Sequence, residues 1–243
     1  MIQVTYLDHS GFAVTTEKAI LVFDYYKDPA NALHKILEAN RELPVLFFVS
    51  HHHSDHYAPQ IYNLAQNHKR VYILSNDVDG DRIPSKDKLS VANVSAGDVL
   101  DNLPGDVRVK AFGSTDAGVS FAVTLADGKT IFHAGDLNDW HWKDESTQAE
   151  IDKAERHFVT ILNRIAEDEH EFYVAMFPVD ERQGTDFSRG ATLFTDKIKV
   201  RNFFPMHFGA DFKGACDFGA YIKDKDTRCF CLKSPGHSVE LDG

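Results

Sequence analysis

The sequence predicts an α/β fold of two similar halves whose sheets pack together, with helices on the outside. Three observations carry this expectation. Strand-like runs alternate with helical stretches, and the same order then begins again. Val45–Val49 and Val71–Leu74 are apolar throughout, as in strands buried on both faces. Hydrophobic residues make up 43% of the 243, enough for a sizeable core.

The elements follow in chain order. Gln3–Tyr6, Phe12–Thr15 and Ala19–Tyr25 read as strands, and Asp8-His9-Ser10-Gly11 turns the first two into a hairpin. Pro29 starts a helix to about Arg41, with Leu33, Ile36 and Leu37 at helical spacing. Pro59 starts another, to about His68, with Ile61 and Leu64 inward. From Val91 to His133 the texture changes to short strands. Asp127-Gly128 marks a hairpin between Phe121–Leu125 and Thr130–His133. A long helix is expected from Glu145 to Glu167, because Ile151, Ala154, Phe158, Ile161, Leu162 and Ile165 fall on one stripe. Phe172–Phe177 reads as a strand, Gly190–Ile198 as a helix, and Asn202–Phe204 as a strand ending at Pro205-Met206-His207. No linker or low-complexity segment interrupts the chain, so one domain over residues 1–243 is expected.

Composition excludes several function classes. No run of about 18 uncharged apolar residues exists, so no membrane span is expected. The opening Met1–Tyr6 reads as a strand and lacks the pattern of a signal peptide. The three cysteines, Cys216, Cys229 and Cys231, are odd in number and far from the histidine-rich segment. A disulfide framework is therefore not expected, in keeping with a cytoplasmic location, and Cys229 and Cys231 read as packing residues on one face. The net charge of −11 disfavours binding to phosphate backbones. It leaves room for a small anionic substrate, since a bound dication dominates its own pocket. A homo-oligomer is compatible with the composition.

The chemistry concentrates in His51-His52-His53-Ser54-Asp55-His56, a H-x-H-x-D-H pattern directly after a buried strand. Residues i and i+2 of an extended segment point the same way, so His51 and His53 can hold one ion together. The chain then turns toward Pro59, and Asp55 and His56 can reach a second position. Imidazole and carboxylate suit zinc, with manganese or iron as alternatives and one or two ions per chain. His52 should point away and is excluded as a ligand. More ligands must come from other strand ends. Asp136, after Thr130–Phe132, can bridge two ions, and His207 can complete the second position.

At this point the chain resembles the metallo-β-lactamase-fold hydrolases, particularly the small cytoplasmic branch that includes ascorbate-phosphate lactonase-like proteins. The residues that carry the likeness are Tyr6-Leu7-Asp8-His9-Ser10-Gly11-Phe12, Leu21-Val22-Phe23-Asp24, the histidine run, His133-Ala134-Gly135-Asp136 and Pro205-Met206-His207. The resemblance implies a four-layer αββα sandwich with the site along one edge of the sheets. It implies His51 and His53 at the first metal, Asp55, His56 and His207 at the second, and Asp136 between them. It also implies His9 and Asp24 as residues that orient ligand histidines by hydrogen bonds. His133, further back on its strand, is assigned to support rather than coordination.

One element departs from the family. A third histidine for the first metal is expected from a strand end where this chain reads Ala111-Phe112-Gly113-Ser114-Thr115-Asp116. Asp116 or Ser114 ligates instead, or the first ion is weakly held, or only one ion binds. The favoured reading gives the second position the higher affinity and makes Asp116 the substitute ligand.

The expected activity is hydrolysis of an ester, lactone or phosphodiester of a small molecule through a metal-bound hydroxide. Asp55 is the candidate catalytic residue, as ligand and proton acceptor. Trp140 and Trp142 lie in the segment leaving Asp136, where aromatics can wall a pocket or pack the loop down. Arg182 can grip an anion or sit in a surface ion pair. The competing classes are a di-iron redox protein and a non-catalytic metal-binding relative. Nuclease action is disfavoured by net charge.

Overall fold

A computed structural model describes residues 1–210, 212–222 and 226–242. The chain opens with an antiparallel meander, β1 (Ile2–Asp8), β2 (Gly11–Thr15) and β3 (Ile20–Phe23). Helix α1 (Ala32–Ala39) then leads to β4 (Val45–Val49), which pairs parallel with β3, and β5 (Arg70–Ser75) and β6 (Val91–Val94) continue in parallel. The second half repeats the plan. β7 (Val99–Leu103), β8 (Val107–Gly113), β9 (Val119–Thr124) and β10 (Thr130–His133) are antiparallel neighbours. Helix α2 (Gln148–Asp168) leads to β11 (Glu171–Pro178), parallel to β10; α3 (Arg189–Lys197) leads to β12 (Lys199–Met206), parallel again. A short α4 (Phe212–Asp217), β13 (Arg228–Cys229) and β14 (Ser238–Leu241) finish the chain.

The strands form two seven-stranded sheets, in the orders β14-β1-β2-β3-β4-β5-β6 and β13-β12-β11-β10-β9-β8-β7. The apolar strand β4 explains the layering. Leu46 and Phe48 face the core between the sheets, where Phe48 meets Phe121 of the opposite sheet edge to face. Val45, Phe47 and Val49 face the other way, into a cluster with Leu33 and Leu37 of α1. A strand covered on both faces has no use for a polar residue. On the far side, Phe158, Leu162 and Ile165 of α2 and Phe194 of α3 cover the second sheet. The result is the expected αββα sandwich. No helix among the described residues is long and apolar enough to cross a membrane.

Three expectations need correction. The first helix begins at Ala32, not Pro29. Asn31 is left-handed at φ 51°, and the Asp28 carboxylate accepts from the amides of Ala32 (2.9 Å) and Leu33 (2.8 Å), fixing the start. The helix expected from Pro59 to His68 is a single 3-10 stretch, Pro59–Asn63. The Arg70 guanidinium donates to the carbonyls of Tyr62 (3.0 Å) and Leu64 (3.3 Å), groups an α-helix would keep for itself. Cys231 is not a packing residue but forms a disulfide with Cys216, 15 residues away. The strand ends at Cys229, so Cys231 is free to turn toward α4, and Cys229 alone keeps a thiol, pushed up to about 12 by burial.

Candidate metal centre

The residues singled out in the sequence gather at the C-terminal ends of the parallel strands, where loops leave the sheets and backbone groups point outward. Asp24 follows β3, His51 to His56 follow β4, Asp136 follows β10, and His207 follows β12. The Asp136 carboxylate sits between the others. One oxygen lies 3.2 Å from His56 Nε2 and 3.6 Å from His207 Nε2, and the other lies 3.4 Å from His51 Nε2. Ligand-type atoms of His51, His53 and Asp136 form one cluster, and those of His9, His56 and His207 a second.

Behind the histidines stands a layer of hydrogen bonds that fixes which nitrogen faces the centre. Buried Asp24 accepts from His56 Nδ1 (2.8 Å), from the Ser50 amide (2.7 Å) and from the Ser50 hydroxyl (2.6 Å). That hydroxyl, having given its proton to Asp24, accepts from His51 Nδ1 at 2.9 Å. Asp180, buried after β11, accepts from His207 Nδ1 at 3.0 Å. Each ring thus spends Nδ1–H on an anchor and turns Nε2 inward, the arrangement that presents a lone pair to a cation. Burial alone would raise the Asp180 carboxyl, but hydrogen bonds from His207 and Arg182 hold it at about 2.

Asp136 owes its position to its loop. Its carbonyl accepts from the Trp140 indole (2.8 Å) and the Thr115 hydroxyl (3.2 Å). Two glycines let the loops close on Ser50. Gly118, at φ 66°, brings the Val119 amide onto the Ser50 carbonyl at 2.9 Å, and Gly135, at φ 58°, leaves no room for a Cβ beside the Ser50 side chain.

The remaining candidates are distributed unevenly. His52 points outward and pairs with Asp77 at 2.9 Å. Asp55 is half-exposed at the mouth, its carboxylate 3.5 Å from His9 Nε2. Asp116 lies beside the first cluster, 3.8 Å from His53 Nδ1, and Ser114 accepts from the Asp116 amide. His133 is a buried strut: Nε2 donates to the Ser10 carbonyl (2.8 Å), Nδ1 accepts from the Gly135 amide (3.1 Å), and the ring stacks on Phe23. Trp140 packs its ring 5.3 Å from His207, so it touches the site as well as holding the loop.

Of the two fates open to Arg182, the structure shows the ion pair: its guanidinium is closed in a bidentate pair with Asp180. One expectation fails. The His9 ring makes no hydrogen bond to a ligand histidine; its Nε2 has no hydrogen-bond partner among the described residues. The sequence reading missed Asp180 and Ser50. The available signals were a carboxylate at the end of a strand adjoining that of His207, and a hydroxyl immediately before His51.

Whether the residues fit a cation is answered by the same buried atoms. His9 Nε2, His51 Nε2, His56 Nε2 and Asp136 Oδ1 all lack a hydrogen-bond partner. Buried polar atoms are rarely left so, and three imidazole nitrogens with one carboxylate oxygen form a donor set of the type that holds a divalent transition metal. Without an ion, the carboxylates hold a proton on His56. Burial alone would lower His56, but the hydrogen bond to Asp24 and the charge of Asp136 raise it to about 9. Burial lowers His51 and His133, and burial with the neighbouring His207 lowers His9 to about 3.

These shifts predict a stability optimum in the metal-free protein. The proton His56 holds adds stability that is complete below its ordinary 6.5 and is lost as pH rises through about 9. His9, His51 and His133 stay neutral in the fold while the unfolded chain protonates them below 6.5, so stability also falls on the acid side. Thermal unfolding of chelator-treated protein should therefore peak near pH 6.5. A midpoint that climbs steadily from there to pH 9 would contradict the assignment.

Imidazoles and carboxylates converging at the open strand ends of two stacked mixed sheets define a metallo-β-lactamase-fold protein. The chain matches the family model described as the beta-lactamase superfamily domain over residues 3–207, and it belongs to that family. No curated protein matches its sequence. Solved structures share the fold. Igni18, a metallo hydrolase from the hyperthermophilic archaeon Ignicoccus hospitalis KIN4/I, is 17% identical with a TM-score of 0.68, covering 100% of this chain and 99% of that one. The metallo-β-lactamase fold protein YhfI from Bacillus subtilis is 14% identical with a TM-score of 0.61, covering 99% and 100%. CmlA, a diiron β-hydroxylase from Streptomyces venezuelae, is 13% identical with a TM-score of 0.62, covering 99% of this chain and 54% of that one.

Proposed function

We propose that this protein is a metal-dependent hydrolase that cleaves an ester, lactone or phosphodiester bond in a small molecule. The observation that carries the reading is the unpartnered buried Nε2 atoms of His51 and His56 beside the unpartnered Asp136 Oδ1, with both rings anchored through Nδ1. His51, His53 and one Asp136 oxygen would hold one divalent ion; His56, His207 and the other oxygen, with Asp55 at the rim, would hold a second. Zinc is the proposed metal, with manganese or iron as substitutes. A divalent ion with an open position lowers the pKa of a water it binds toward neutrality. The chain's own residues do the rest. Asp55, half-exposed and within reach of the centre, accepts a proton at its carboxylate. Trp140 offers an aromatic wall beside His207.

The motifs' resemblance to ascorbate-phosphate lactonase-like proteins makes lactones one of the bond classes to try. Protein reloaded with zinc or manganese should turn over members of a panel of p-nitrophenyl esters, p-nitrophenyl phosphodiesters and lactones, and His56→Ala should abolish that turnover. A panel left untouched, with His56→Ala indistinguishable from the parent, would end the hydrolase reading. A second reading is di-iron redox chemistry. The Asp116 carboxylate beside His53 favours it, since added oxygen donors suit iron; a coloured, iron-rich preparation would support it over zinc. A cytoplasmic location belongs to the same proposal. The Cys216–Cys231 bond counts against it, and alkylation of intact cells before lysis decides: a reduced pair supports the cytoplasm.

A further inference from the structure

The turn between β1 and β2 carries a histidine that neither its family role nor its surroundings explain. His9 is 8% exposed, and its Nε2 has no hydrogen-bond partner among the described residues. A histidine kept only for packing would pair that nitrogen or give way to an apolar ring. A histidine kept to orient a ligand would donate to one, as Asp24 and Asp180 receive from theirs. His9 does neither. Its ring centroid lies 4.3 Å from that of His207 and 5.4 Å from that of His56. The His207 amide donates to the His9 carbonyl at 3.2 Å, so turn and strand end are tied back to back. Both residues adopt left-handed backbone, at φ 54° and φ 63°, a conformation that side-chain-bearing residues seldom take. Two strained histidines, bonded to each other through the backbone, present their rings to one point.

We propose that His9 is a direct ligand of the second metal position, completing a three-histidine set with His56 and His207 beside one Asp136 oxygen. The inference rests on the metal-dependent reading above. The ligand-type atoms of His9, His56 and His207 lie within 4.8 Å of one another. Ligands at about 2.1 Å from one ion stand at most about 4.2 Å apart, so a small inward movement of the rings closes the set. The consequence is an asymmetric centre. The first position has two histidines, an Asp136 oxygen and the nearby Asp116 carboxylate. The second has three histidines and a carboxylate oxygen, with Asp55 at its rim. The histidine absent from the strand end near Asp116 is thus matched by one contributed to the other position, which becomes the tighter one for zinc or cobalt.

The test uses full-length protein stripped of metal and titrated with Co2+ against a chromophoric chelator. His9→Asn is the variant of choice, since asparagine tolerates left-handed backbone and removes the imidazole; His9→Ala is the second, and His52→Ala the control. Both His9 variants should weaken the tighter Co2+ site by more than about 100-fold, beyond the 10–100-fold typical of a residue that only orients a ligand. The visible Co2+ spectrum should change shape, while the unfolding midpoint of the metal-free His9→Asn protein stays at the parent value. A smaller loss, or an unchanged spectrum, overturns the ligand assignment. Parent protein that takes up no Co2+ overturns the metal-dependent reading along with it.

Discussion

Gly118→Ala should lower the unfolding free energy by roughly 2–5 kcal/mol, the sum of left-handed backbone strain and overpacking. Gly118 has φ 66°, and a Cβ placed on it would lie 1.9 Å from the Ser50 carbonyl oxygen and 2.7 Å from His51 Cβ. No side chain can swing aside to relieve the first clash, because the obstacle is backbone. The loop must retreat, and with it goes the Val119 amide that donates to that carbonyl at 2.9 Å. Ser50 in turn donates to Asp24 and accepts from His51, so the displacement reaches the centre itself. Gly128→Ala separates strain from crowding, since its φ is 84° and an added Cβ meets nothing within 4 Å. It should lose only about 1–2 kcal/mol. Urea unfolding of both variants measures the difference, and a Gly118→Ala protein as stable as Gly128→Ala would refute the crowding argument.

Much of this architecture was legible because it rests on local pattern. Strand β4 announces itself by five apolar residues whose alternate members feed two cores, and Asp127-Gly128 turns a hairpin that needs positive φ at its glycine. The histidine run was legible because a buried strand followed at once by imidazoles at i and i+2 has few other uses. What escaped the sequence depends on pairings between distant segments. Nothing near Tyr62 tells that Arg70 will take its carbonyl and stop a helix. Nothing near Cys231 names Cys216. Asp180 becomes the anchor of His207 only because β11 and β12 lie side by side. The resemblance gives His9 an orienting hydrogen bond, but its left-handed backbone aims the ring elsewhere. Side-chain direction in a turn is set by φ, which spacing does not report.

Asp136→Asn should remove most bound metal while leaving the metal-free fold in place. The carboxylate is buried at 5% exposure, and its two oxygens face different histidines: Oδ1 toward His56 (3.2 Å) and His207 (3.6 Å), Oδ2 toward His51 (3.4 Å). An amide keeps the shape, loses the negative charge and offers an ion only one acceptor. Both positions therefore suffer, whereas Asp116→Ala should weaken only the first. Metal analysis after dialysis should show Asp136→Asn below half the parent's content. Ligand that binds only the folded state stabilises it by about 2.7 kcal/mol at 100 times its Kd, so a 100-fold weaker site forfeits roughly that amount. The parent's rise in unfolding midpoint on adding zinc should accordingly vanish in the variant. The charge also helps keep His56 protonated, so the metal-free variant should lose less stability between pH 6.5 and 9 than the parent does. Parent-like metal content in Asp136→Asn would mean that the carboxylate is not shared between positions, and the histidines alone would then have to account for the site.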